Sequence, residues 1–147
     1  MNRPKAIGTA GETGVVHALH RLGYPDARRI ALAGAADQGD IGAAWQGGRP
    51  ALTFEIKAGK AGQRASDAQI AAWLTETDRE RLNAGSDLGI LVTARPGIGP
   101  DRAHLWWAHL EHAHVAPGVG LAPLLVQIRL TLENATRVLQ RAGYLAA

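Results

Sequence analysis

The order of apolar and polar residues along the chain predicts helices and strands in succession. Apolar residues at helical spacing predict a first helix that opens at 9–12 and ends at Gly23, a second over about 66–83 and a last one over about 124–141. Alternating or continuous apolar runs predict strands over 28–33, 51–57, 88–93 and 104–109, and another strand starting near Asp40. This succession predicts an α/β domain with a central mixed β-sheet flanked by helices.

The strand over 51–57 carries the most distinctive side chains. Because side chains alternate between the two faces of a strand, Glu55 and Lys57 share one face, opposite the apolar residues Leu52, Phe54 and Ile56. Turn-forming residues at 46–50 predict a hairpin that brings the strand starting near Asp40 beside Glu55. A Glu and a Lys that alternate on a strand are also common on solvated surfaces. However, only 3 of the 16 basic side chains are lysines, which favours a specific role for Lys57.

Two carboxylates and one ammonium suit the hydrolysis of a phosphodiester bond. Asp40 and Glu55 are candidate ligands for Mg²⁺, with Mn²⁺ as a substitute, and the backbone carbonyl of Ile56 is a candidate third ligand. Lys57 could orient or help to deprotonate the attacking water, or offset developing negative charge. The sequence leaves these roles of Lys57 open.

Three further polar residues each have two interpretations. Glu12 is either a third active-site carboxylate or the partner of Thr9 in a helix capping box. Gln69 is likewise either an active-site residue or the partner of Ser66 in a capping box. Asp37 is a turn residue, a substrate contact or a competitor of Asp40 for the metal.

Composition and charge limit the class of protein. The 147 residues predict one domain over 1–147, and the net charge of +3 with a pI near 9.8 permits a polyanionic partner, foremost nucleic acid. Candidate DNA-binding residues flank the strand over 51–57 in sequence, although each could equally be solvated loop charge: Arg28, Arg29, Lys60 and Arg64.

Several other classes are disfavoured. The absence of cysteine excludes disulfides and cysteine-based zinc sites, and it predicts a reducing compartment such as the cytoplasm. Six histidines, including His109, His112 and His114, only weakly favour a zinc site. No glycine-rich segment matches the P-loop pattern, which argues against an NTPase. The chain start has no apolar stretch typical of a signal peptide, and no run is long enough to span a bilayer.

The polar residues singled out above resemble, in their order along the chain, the PD-(D/E)XK nuclease superfamily. The matching residues are Glu12, Gly39-Asp40-Ile41, Phe54-Glu55-Ile56-Lys57 and Gln69. Within the superfamily the chain is similar to archaeal-type Holliday junction resolvases and to resolvase-like proteins of actinobacterial phages. The resemblance covers roughly residues 10–107. It departs from the motif at Gln38-Gly39, where the family has a proline before the aspartate.

This resemblance implies a restriction-endonuclease-like fold and a magnesium-dependent homodimer that makes paired nicks in four-way DNA junctions, as in recombination and repair. It also implies that Glu12, Asp40, Glu55 and Lys57 are active-site residues. The last helix, over 123–142, is a candidate for the dimer interface. Two alternatives stay open: another nuclease of the superfamily, such as an end-acting exonuclease or a restriction or repair endonuclease, and a DNA-binding module without catalytic activity.

Overall fold

A six-stranded mixed β-sheet forms the centre of the structure, a computed structural model that describes residues 2–31, 37–111 and 127–146. The strands lie side by side in chain order: β1 (Arg28–Arg29), β2 (Ile41–Gln46), β3 (Arg49–Lys57), β4 (Leu88–Thr93), β5 (Trp107–Glu111) and β6 (Gln127–Thr131). Only β3 and β4 pair in parallel, and the other neighbours are antiparallel. The predicted α/β class with a central mixed sheet is confirmed.

Helices cover both faces of this sheet. They are α1 (Arg3–Arg21), α2 (Gly59–Gln63), α3 (Asp67–Ala84) and α4 (Leu132–Arg141), with a 3-10 helix over Pro100–Leu105. On one face, apolar side chains of α1 and α4 form the main core with those of the sheet, among them Val15, Leu19, Phe54, Leu132 and Leu139. On the other face α3 packs against β3 and β4 and connects these two parallel strands.

The predicted hairpin is confirmed. Strands β2 and β3 pair antiparallel around Gly47 and Gly48, which have φ angles of +59° and +77°. Two successive positive φ angles are those of the two-residue turn that suits the twist of a hairpin, and glycine adopts them without steric cost. The helix predicted over 66–83 and the strand over 88–93 are also confirmed, as α3 and β4.

The predicted start of the first helix is wrong. Helix α1 begins at Arg3, where the side chain of Asn2 accepts a hydrogen bond from the Lys5 N–H and Pro4 occupies the first turn. Asparagine at the cap and proline just inside it are typical of helix N-termini. Thr9 and Glu12 therefore lie within the helix, and the capping box that the sequence offered for them does not form.

The last helix is shorter than predicted. Residues 127–131 form strand β6, and α4 begins only at Leu132, after Thr131 caps it by accepting a hydrogen bond from the Asn134 N–H at 3.2 Å. The predicted helix over 123–142 is thus wrong for 127–131, and residues 123–126 lie outside the described ranges. Ile128 and Leu130 alternate with polar residues, which is the spacing of a strand.

Three other boundaries differ from prediction. The strand predicted over 104–109 is replaced up to Leu105 by the 3-10 helix, and β5 starts at Trp107. The short helix α2 was not among the predicted elements. The strand predicted over 28–33 is limited to β1, and residues 32–36 lie outside the described ranges.

Candidate active site

Glu55 and Lys57 lie on the face of β3 that α3 covers. Lys57 Nζ contacts Glu55 Oε1 at 2.9 Å, so the predicted sharing of one face is confirmed. Glu55 is only 7% exposed, because β3 is an inner strand and α3 packs over it. The pair is therefore a largely desolvated ion pair and not a solvated surface contact.

The hairpin brings Asp40 beside this pair. Its backbone N–H donates to the Phe54 carbonyl at 3.1 Å, and its Oδ2 accepts from the Ile56 N–H at 2.8 Å. Burial, followed by the charge of Glu55, raises the pKa of Asp40 to about 7, although the Ile56 hydrogen bond and Lys57 oppose the shift. The contact of Ile56 with Asp40 is through its N–H. The role of the Ile56 carbonyl as a metal ligand stays a prediction.

Lys57 is held in its charged form. Burial alone lowers the pKa of Lys57, but the hydrogen bond and charge of Glu55, with Glu76 and Asp40, outweigh burial and raise the pKa above its ordinary value. Lys57 Nζ also lies 3.7 Å from Glu76 Oε1 and 5.5 Å from the ring centre of Trp73, both on α3. A lysine in this state can orient a water or offset negative charge.

Helix α3 adds two carboxylates that the sequence interpretation missed. Oxygens of Glu55, Glu76 and Glu80 lie within 4.8 Å of one another, and the cluster could hold a metal ion. Glu80 is 2% exposed, and its Oε2 has no hydrogen-bond partner among the described residues. Burial, a hydrogen bond with Glu55 and neighbouring negative charges raise the pKa of Glu80 to about 9.

A glycine in β4 allows α3 to lie close to the sheet. A Cβ atom at Gly89 would lie 3.0 Å from both Cγ2 and the carbonyl oxygen of Thr77. Glu76 and Glu80 flank Thr77 on α3, so this close approach helps to set their distance from Glu55. A sequence signal for Glu80 exists: it continues, at helical spacing, the buried face that includes Trp73 and Thr77.

Glu12 reaches the edge of the site from α1. Its Oε2 contacts Arg29 Nη2 at 2.8 Å, and its negative charge contributes to the raised pKa of Asp40. Arg29 Nη2 also donates to the Thr9 carbonyl at 2.9 Å. The structure therefore brings Glu12 into the electrostatic neighbourhood of Asp40, with one of the predicted DNA-binding arginines as its counter-ion.

The other predicted residues lie around this centre without direct contact with it. Asp37 Oδ1 accepts from the Gly39 N–H at 3.0 Å, which is a turn-forming contact. The Gln69 N–H donates to Ser66 Oγ at 3.1 Å, which confirms Ser66 as the α3 cap, and the Gln69 side chain is exposed. Exposed basic residues stand on β1 and at α2: Arg28, whose guanidinium lies 3.7 Å from the Trp45 ring centre, Lys60 and Arg64.

The histidines give little support to a zinc site. His109 is buried and its Nε2 lies 3.0 Å from Thr93 Oγ1, while burial and then the charge of Arg129 lower the pKa of His109 to about 4. The acidic group around Glu55 is the one cluster with metal-ligand spacing among the described residues. His112 and His114 lie outside the described ranges.

The residues of the site fit a hard divalent cation. The donors are carboxylate oxygens, which such ions prefer, and they are crowded: Asp40 has a raised pKa beside Glu55, and a buried oxygen of Glu80 lacks a partner. Additional positive charge would relieve this crowding. The cluster can thus bind a metal ion beside a charged lysine.

Comparison with known proteins identifies no family for this chain. No protein-family model, curated protein or solved structure matches the chain significantly. Within the described ranges, no helix combines the length and apolar character needed to cross a membrane.

Proposed function

We propose that this protein is a metal-dependent nuclease that hydrolyses phosphodiester bonds in DNA. The observation that carries the proposal is the placement of Asp40 and Glu55 side by side, with the Lys57 ammonium 2.9 Å from Glu55. This is the combination that phosphodiester hydrolysis needs, and it is held over the rigid core of the sheet.

Glu55 would hold Mg²⁺, with Mn²⁺ as a substitute, together with Glu76 and Glu80, whose carboxylate oxygens lie within 4.8 Å of its own. Asp40 is not part of that cluster, and its role as a further metal ligand is proposed from the sequence. The metal would supply an activated water and stabilise charge on the scissile phosphate. The Ile56 N–H fixes the orientation of Asp40, and Lys57 contributes a fixed positive charge for the transition state. Of the roles that the sequence left open for Lys57, its raised pKa favours charge stabilisation over proton abstraction.

The proposed fold is restriction-endonuclease-like. The support is a mixed sheet flanked by helices, with the candidate residues at the start of β2 and the end of β3, together with the sequence resemblance to PD-(D/E)XK nucleases. The proposed substrate, a four-way DNA junction cut by a homodimer, follows from that resemblance. The net charge of +3 is compatible with a polyanionic substrate.

The test is incubation of the protein with labelled four-way junction, linear duplex and single-stranded DNA, with Mg²⁺ and with EDTA. Symmetric Mg²⁺-dependent cuts near the branch point support a junction resolvase. Digestion from the ends supports an exonuclease instead, and binding without cleavage in any arm supports an inactive DNA-binding module.

A matched pair of lysine variants tests the site. Lys57→Ala should abolish cleavage, whereas Lys5→Ala, at an exposed position on α1, should cleave like the wild type. Cleavage by Lys57→Ala at the wild-type rate would overturn the proposed mechanism.

A further inference from the structure

Two arginines from different parts of the chain lie against one indole ring. The guanidinium carbon of Arg95, just after β4, is 3.9 Å from the ring centre of Trp107, and that of Arg129, on β6, is 4.6 Å away. Arg95 Nη1 also donates to the Leu105 carbonyl at 2.9 Å. The ring is itself half-buried on β5, so it is a fixed support for both side chains.

This support restricts the arginines without using up their hydrogen-bonding capacity. A guanidinium that stacks on an aromatic ring makes contact through its flat face, while the N–H groups at its edge can still donate. Arg129 is exposed and Arg95 half-exposed, so these edges are open to a ligand. Each preorganised guanidinium group can donate to the paired oxygens of a phosphate.

Trp107, which holds the arginine pair, is aligned with Lys57 across the sheet. Lys57 pairs in register with Thr93, and Thr93 pairs with Trp107. Two strand spacings, about 10 Å, separate Lys57 from Trp107, so a single DNA strand could reach both residues. A cleft of about 340 Å³ lies here, and Gln63, Thr93, Trp107 and Arg129 are part of its lining.

We propose that Arg95 and Arg129, held by Trp107, bind the phosphodiester backbone of the DNA strand as it leaves the active site across β4, β5 and β6. This inference rests on the proposed nuclease function and extends it to a second surface. It differs from the DNA-binding residues predicted from sequence, which lie on β1 and at α2. The contact is to phosphate, so it positions the strand without reading its bases.

The test is equilibrium binding of fluorescent four-way junction and duplex DNA to the full chain in EDTA, where cleavage does not interfere, over a series of salt concentrations. Arg129→Gln should weaken binding about tenfold and lower the slope of log K against log salt by about 1, as expected for one lost phosphate contact. The control is Arg137→Gln on α4, where Arg137 Nη2 pairs with Glu133 Oε1 at 2.7 Å, and it should bind like the wild type. Circular dichroism establishes that each variant is folded.

Two further variants separate charge from preorganisation. Arg129→Lys keeps the positive charge but loses the planar guanidinium that stacks on Trp107. Trp107→Phe keeps an aromatic ring of smaller area. Both variants should weaken DNA binding less than Arg129→Gln does.

Failure of this inference is distinguishable from failure of the nuclease proposal. A wild-type protein that cleaves DNA, together with an Arg129→Gln variant that binds with unchanged affinity and salt slope, would overturn the arginine site alone. A wild-type protein that binds none of the DNAs would overturn both proposals. Equal weakening by Arg137→Gln would show a general effect of net charge and would also overturn the arginine site.

Discussion

The two faces of β3 are both buried, but one carries apolar side chains and the other carries charged ones. On the face toward α1 and α4, Leu52 and Phe54 are fully buried in an apolar core. On the face toward α3, Glu55 is almost as buried, at 7% exposure, yet it lies among other carboxylates and one lysine. The apolar face supplies stability, whereas the charged face carries an electrostatic cost of the kind that functional sites often carry.

The apolar face should show the largest effect on stability. Phe54→Ala removes a fully buried ring from the centre of the core, and we expect a loss of about 3–5 kcal/mol in the free energy of unfolding, measured by chemical denaturation. A loss below about 1 kcal/mol would contradict the assignment of this face as the main core.

The distance between α3 and the sheet should matter for both stability and the site. Gly89→Ala places a methyl group against Thr77, so we expect a loss of about 1–3 kcal/mol in unfolding free energy and weaker divalent-metal binding. The control is Gly8→Ala in α1, where a Cβ atom meets nothing within 4 Å and helix propensity favours alanine. If Gly89→Ala were as stable as Gly8→Ala, the close approach of α3 would not hold.

The charged face should make the metal-free protein less stable as pH rises. The native pKa values of Asp40 and Glu80, about 7 and about 9, lie above the ordinary values of 3.8 and 4.5. The native state therefore holds protons that the unfolded state releases. This contribution is fully present below about pH 4 and is lost as pH rises through the native pKa values, by at most about 1.4 kcal/mol per pH unit for each group.

Thermal unfolding in EDTA from pH 5 to pH 9 measures this effect. Glu80→Gln should flatten the fall in stability between pH 7 and pH 9, because its amide has no proton to lose. Added Mg²⁺ should also reduce the fall, since the cation replaces protons among the carboxylates. If the stability of Glu80→Gln fell with pH as steeply as that of the wild type in EDTA, the pKa of Glu80 would not be raised as its burial indicates.

The sequence predicted the half of the site that depends on local spacing. Strand period placed Glu55 beside Lys57, and the Gly47-Gly48 turn set the register that brings Asp40 to them. Glu76 and Glu80 were missed because the distance between a strand and the helix packed on it is a tertiary property. The charge of Glu80 on an otherwise buried helix face was the signal available.

Helix ends show the same limit. Ser66 was correctly identified as a cap, but the equivalent pattern at Thr9 was not, because Asn2 and Pro4 start α1 earlier. At the other end of the chain, helical spacing continued through a segment that pairs with β5 as strand β6. Pairing with a neighbouring strand overrode the local pattern there.

The most direct test of the central claim, that the buried charged face of β3 is a metal-dependent phosphodiesterase site, is the cleavage rate of Asp40→Asn in Mg²⁺. The control is Asp101→Asn at an exposed position in the 3-10 helix. We predict that Asp40→Asn loses cleavage, still binds DNA and is more stable than the wild type in EDTA at pH 8, whereas Asp101→Asn cleaves normally. Cleavage by Asp40→Asn at the wild-type rate would contradict the account.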